Sequence, residues 1–143
     1  MSRPYLLCRI AGQRAVIVAD PVSAVVELEH IVPVPRAPRH VAGLAALRSQ
    51  SVTAIDCHRA LGLSGEDRSG NCAVVIAHDG FSYALLVDAV EDILDSDAPV
   101  APVPAALRAG WQAASLGMIE LPCGPALLLD PAVLVAGNRK VAA

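Results

Sequence analysis

The sequence predicts a mostly-β domain, a barrel or a sandwich, and three observations carry that expectation. Apolar runs are short, with Tyr5–Ile10, Cys72–Ala77 and Phe81–Val87 the best defined. Turn signals separate them, above all Asp79-Gly80, since a two-residue hairpin loop needs positive φ and this dipeptide adopts it readily. Few segments carry an apolar face long enough for a helix of more than two turns. No tandem repeat of fixed period is visible.

Tyr5 to Ile10 and Arg14 to Val18 read as paired strands turning at Gly12-Gln13. Asp20-Pro21 reads as a helix start, with Asp as N-cap and Pro at the first helical position. Val22, Val25, Val26 and Leu28 fall on one side of the short helix this predicts. Ile31 to Pro35 is an edge strand or extended loop, because its prolines cannot donate to a central ladder. His40 to Leu47 predicts a helical turn or two, with Val41, Leu44 and Leu47 facing inward at three-residue steps.

Val52 to Ile55 is a strand candidate, and His58 to Leu61 a short helix stopped by Gly62. Ser64 to Asn71 is the most polar stretch and predicts an exposed loop. It roughly halves the chain, which suits two lobes sharing one core. Met118–Leu121 and Ala126–Leu129 make a last hairpin around Pro122-Cys123-Gly124-Pro125. Asp130-Pro131 then opens a closing helix that runs from Ala132 toward a frayed, basic tail at Arg139-Lys140. One domain is expected over residues 1–143, with its core between about 5 and 136 and the tail at 137–143.

Composition narrows the function. A chain of 143 residues, 55% hydrophobic and 17% charged, can bury a core and is not disordered. Its net charge of −3 and 3% aromatic content offer a nucleic acid neither attraction nor stacking. The Ala98–Leu107 run is broken by Pro99, Pro102 and Pro104 and falls short of the roughly 20 apolar residues of a membrane span. The first residues lack a signal-peptide layout, so a cytoplasmic protein is expected. Cys8, Cys57, Cys72 and Cys123 are widely spaced, without the close ligand pairs of a zinc site. They are expected to be free thiols in or near the core.

Asp56-Cys57-His58 is the first place to look for an enzyme. A nucleophilic cysteine needs a base within reach and a group to orient that base. Sequence neighbours on a strand point to opposite faces, so Cys57 and His58 would not meet productively. Histidines 30, 40, 58 and 78 include no helical i, i+4 pair, and no metal is expected. Asp88, Glu91, Asp92, Asp95 and Asp97 lack the calcium-loop pattern. They read as a solvated face or a rim for a basic partner. Gly43 and Arg48 admit two readings: a kinked turn with a capping arginine, or a rigid turn presenting an interface anchor. Glu27 is open in the same way, between an exposed charge and a partner carboxylate.

Several segments in order carry a family resemblance. They are the opening Tyr5 to Gln13 hairpin, Val25-Val26-Glu27-Leu28, Pro38 to Arg48 with its Gly-Leu-x-x-Leu-Arg core, Ile55-Asp56, Leu61-Gly62-Leu63, Asp79-Gly80 leading into Leu86-Val87-Asp88, and Leu127-Leu128-Leu129-Asp130. This set resembles the CheW family of bacterial chemotaxis adaptors, from Tyr5 to about Leu134. The resemblance implies two small five-stranded SH3-like β-barrels around a shared hydrophobic core, with short helices. It implies no catalysis and no cofactor.

By the same resemblance the partners are a chemoreceptor's cytoplasmic helical tip and the regulatory domain of the chemotaxis histidine kinase. Positions matching the receptor-facing groove are Val25, Glu27, Leu28, Gly43, Leu44, Arg48 and Ser49. The kinase contact is expected near the Cys72 to Val87 hairpin. Two departures stand out: Ser49 replaces the usual glycine, and Thr53, Cys57 and His58 replace the usual residues around Asp56. If Ser49 needs positive φ, it costs about 1 kcal/mol. Two other readings remain: a CheW-like module for a divergent kinase cluster, and a small cysteine-dependent enzyme using Cys57.

Overall fold

A computed structural model describes residues 2–63 and 70–137. Ten strands and three short helices follow one another: β1 (Arg3–Ile10), β2 (Gln13–Val18), β3 (Val22–Glu27), β4 (Val41–Leu47), β5 (Gln50–Asp56), α1 (Cys57–Ala60), β6 (Cys72–His78), β7 (Phe81–Leu86), β8 (Ala89–Ser96), α2 (Ala109–Ala114), β9 (Ser115–Leu121), β10 (Gly124–Leu129) and α3 (Pro131–Ala136). They form two five-stranded sheets. The first, sheet A, has the order β8-β1-β2-β10-β9, and the second, sheet B, the order β3-β6-β7-β5-β4.

Each sheet curls around its own apolar interior. Tyr5, Leu7, Val16, Ile119, Leu121, Ala126 and Leu128 fill sheet A, with Leu94 from its other edge strand packed against them. Leu28, Ala45, Val52, Ala54, Ala73, Val75, Ala84 and Leu86 fill sheet B. Alternation does the rest, because successive strand residues point to opposite faces. Leu6, Cys8, Ile10, Ile17, Leu127 and Leu129 of sheet A meet Ile55, Val74, Ile76 and Leu85 of sheet B in a third, shared core. Trp111, Leu61 and Leu134 from the helical segments seal it. The central strands are therefore apolar on both faces, which is why they read as continuous runs. The mostly-β expectation and the two-barrel architecture both hold.

Four hairpins turn on two residues, and three of them have positive φ at both: Ala11-Gly12 (51° and 81°), Arg48-Ser49 (51° and 69°) and Asp79-Gly80 (50° and 80°), the fourth being Pro122-Cys123. The first pairs Ile10 with Gln13, one residue earlier than the sequence suggested. Asp130 caps α3 as expected, accepting from the Ala132 amide at 3.0 Å, with Pro131 in the first turn. Asp56 caps α1 by accepting from the Arg59 amide at 3.3 Å.

Two expectations are corrected. Residues 22–27 are a strand, β3, paired with β6, and not a helix. Ala24 and Val26 face the barrel interior, whereas Val25 and Glu27 are exposed. A run of β-branched residues suits a pleated surface better than a helix. Residues 41–47 are likewise a strand, β4, paired with β5. Leu44 lies on the outer face of sheet B and is 43% exposed, whereas Leu47 packs inside the barrel; a bulge between Val41 and Gly43 keeps Val41 on the outer face with Leu44, against the shared core. The Asp88–Asp97 stretch is largely β8, and α2 was not anticipated. Ser64–Ser69 of the expected loop and the Arg139-Lys140 tail lie outside the described residues.

Candidate interaction surface

The β4–β5 hairpin is the most strained exposed feature. Leu47 pairs with Gln50, so Arg48 and Ser49 alone make the turn, both left-handed and neither glycine. Such backbone persists only where its surroundings impose it. Both side chains are exposed. Arg48 thus stands on a rigid support at the end of a barrel.

Gly43 has φ +151°, and a Cβ there would run into the Val32 carbonyl oxygen. The bare backbone lets the segment around Val32 lie against β4. Val32 and Leu44 exchange both backbone hydrogen bonds, at 2.8 and 2.9 Å. Partners in such a bridge project to one side, and Val32 and Leu44 are 65% and 43% exposed.

The ladders extend that pair inward. Leu44 is opposite Thr53, Thr53 opposite Tyr83, and Tyr83 opposite Ile76. Ile76 belongs to the shared core. One cross-strand row on the outer face of sheet B therefore starts under sheet A and ends at the surface. Phe81, two residues before Tyr83 on β7, lies on the same face and is 68% exposed. The sequence signal for this surface was weak, because Val32 and Phe81 read as parts of a loop and a strand.

A model of the CheW-like domain matches residues 4–138. The chain belongs to the CheW-like domain family. A crystal structure of the scaffolding protein TtCheW from Thermoanaerobacter tengcongensis is similar to it, with a TM-score of 0.79 at 20% identity. The match covers 91% of this chain and 90% of that one, and at such identity it speaks for the fold. No curated protein matches the chain significantly. Membership in the CheW-like family supports the class of chemotaxis scaffold or adaptor.

The CheW-like chain distributes its candidate receptor residues over two edges. Gly43, Leu44, Arg48 and Ser49 belong to the β4 edge, Val25 and Glu27 to β3. Leu28 is 4% exposed inside barrel B, where it packs and cannot also present a broad surface. The Glu27 carboxylate accepts from the Asn71 amide at 3.2 Å. Of the Cys72–Val87 hairpin, β6 and β7 are interior strands of sheet B, so only its tip around Asp79, Gly80 and Phe81 is exposed.

The enzyme reading finds poor support in the same geometry. Cys57 and His58 open α1 rather than lying on a strand, and Cys57 is fully buried. His58, 4% exposed, directs Nε2 to the Asp88 carboxylate at 3.0 Å, so this nitrogen carries the donated proton. Asp88 also accepts from the Ala11 amide. The trio ties the β1–β2 turn, α1 and the β7–β8 junction together. A cleft of about 520 Å³ beside it is lined by Gln13, His58, Arg108 and Trp111, among others, but not by Cys57.

The remaining cysteines differ in setting. Cys8 is buried, and its thiol is pushed up to about 12 by that burial, with Cys72, Glu91 and Asp88 adding to it. Cys72 is half-buried and is also raised, first by burial and then by Glu27. Cys123 sits exposed in the β9–β10 turn, against the expectation that all four lie in or near the core. Among the described residues, no helix is long and apolar enough to cross a membrane.

Proposed function

We propose that this protein is a non-enzymatic adaptor. In the cytoplasm it couples chemoreceptor helical tips to the chemotaxis histidine kinase within a signalling array. Its membership in the CheW-like family carries the reading, and the exposed, strained Arg48-Ser49 turn supports it locally. Val25, Glu27, Leu28, Gly43, Leu44, Arg48 and Ser49 form the receptor side, Leu28 and Gly43 by shaping the backbone beneath it. The kinase regulatory domain docks near the Cys72–Val87 hairpin and the barrel ends around it. Each contact is weak alone and gains strength from multivalency in the array. The adaptor biases the kinase between states by holding both partners in a fixed geometry.

Titration with a soluble receptor-tip fragment and with a kinase regulatory domain, both from the same genome, tests this. Arg48→Ala should lose receptor binding at least tenfold with an unchanged melting curve, since the side chain is exposed. Binding to neither partner by the wild-type protein would sink the proposal. Binding to the kinase domain alone would favour an adaptor for another input.

A further inference from the structure

We infer that the cleft between the β1–β2 turn, α1 and α2 is a binding site for a small organic carboxylate with an apolar body. The site stands apart from the coupling function and needs neither protein partner. Its volume is about 520 Å³, within the roughly 300 to 1,000 Å³ of small-molecule sites. Trp111, Leu107 and Leu63 give it an apolar side, and Arg108, Gln13 and His58 a polar one. The walls are fixed by contacts already made. The Ala11 amide donates to Asp88, which also holds His58. Gln112 Nε2 donates to the carbonyls of Pro104 and Ala105 at 3.0 and 2.9 Å. A Cβ at Gly110 would overlap the Leu61 carbonyl, so α2 sits directly on the residue that ends α1. Walls set beforehand lose little freedom when a ligand enters.

The unpaired groups select the ligand. Trp111 is 6% exposed, and a buried indole N–H ordinarily finds a hydrogen-bond partner. Here it has none among the described residues, yet it is not one of the polar atoms sealed from solvent. The cleft that Trp111 lines is the opening left to it. The Arg108 side chain likewise has no hydrogen-bond or ion-pair partner among the described residues. Both groups can only donate, so the ligand must accept from both, which a carboxylate does with its two oxygens. One guanidinium balances one negative charge, which favours a carboxylate over a phosphate. His58 is committed to Asp88 through Nε2 and its Nδ1 is sealed, so it serves as wall rather than contact. Gln13 Nε2 donates to the Arg14 carbonyl at 3.2 Å. Its Oε1 is left to accept from a donor at the far end of the ligand. Leu107 and Leu63 favour an apolar body between the two ends.

Indoleacetate is a suitable probe, since it carries a carboxylate, an apolar ring and an N–H donor away from the carboxylate. Indole lacks its carboxylate and acetate its body, so these two are the controls. Trp111 is the chain's one tryptophan, so a single indole N–H cross-peak in the NMR spectrum of the labelled protein reports from the cleft. Indoleacetate should move that peak saturably, with a dissociation constant of about 1 mM or tighter. Indole and acetate should each bind about tenfold more weakly or worse. Arg108→Ala removes an exposed side chain and should leave the melting curve unchanged. It should weaken indoleacetate binding about tenfold. A cross-peak that has not moved by about 10 mM indoleacetate overturns the site. Equal affinity for indole and indoleacetate, or unchanged affinity in Arg108→Ala, overturns the carboxylate and with it the ligand class. None of these results bears on receptor or kinase binding, which Arg48→Ala tests separately.

Discussion

Arg48 and Ser49 hold two consecutive left-handed conformations, and the side chains chosen for them are poor at it. The hairpins at Ala11-Gly12 and Asp79-Gly80 place glycine at the second position, where it meets no steric penalty. Ser49, at φ +69°, does. Ser49→Gly should therefore stabilise the protein by about 1 kcal/mol, seen as a rise of a few degrees in the melting temperature. Cysteine chemistry is a second matter of single residues. Thiol labelling of the native protein should modify Cys123 first and Cys8 and Cys57 last, in the order of their exposure. Cys8 also links stability to pH. Its folded value near 12 lies above the ordinary 9.0, so the folded chain holds the proton longer. That contribution is whole below about pH 9 and is lost as pH rises toward 12. Urea unfolding across this window should show stability falling, and falling less steeply in Cys8→Ala.

β3 and β4 are the elements that local reasoning misassigned, and the reason is physical. Three-residue steps of Val and Leu fit a helix as well as a strand when the segment is only six or seven residues long. Pairing with β6 and β5 breaks the tie, because it satisfies a ladder of backbone groups that a two-turn helix would leave largely open. Gly43 is where the element meets its neighbour. Gly43→Ala would drive a Cβ into the Val32 carbonyl and force a non-glycine residue to φ +151°. It should cost about 2–3 kcal/mol in chemical unfolding, and hydrogen exchange should speed up at the Val32 and Leu44 amides. Unchanged exchange there would mean that the bridge does not depend on the missing side chain.

The whole molecule is two barrels that cannot be separated without opening a common core. Leu85, Ile76 and Val74 on one side and Leu6, Ile17 and Leu127 on the other have no other place to hide. Leu85→Ala should cost about 2–5 kcal/mol. Because the core is shared, both barrels should unfold in one transition, with the calorimetric enthalpy matching the van't Hoff value. Two separate transitions would show that each barrel is stable alone. The His58–Asp88–Ala11 contacts add a polar tie across the same boundary.

Local chemistry alone located the hairpins at Asp79-Gly80 and Pro122–Pro125, the Asp130-Pro131 helix start and the doubly apolar central strands, since turn residues and alternation act over a few positions. The ordered motifs pointed to the family, and with it to Arg48. Val32, Leu44 and Phe81 as one surface could not be read that way. Whether a residue on an apolar face is core or contact depends on how far the second barrel reaches across that face. Strands far apart in sequence set that boundary, from β1 and β10 over β5 and β7, and burial of this kind is a property of the packed chain.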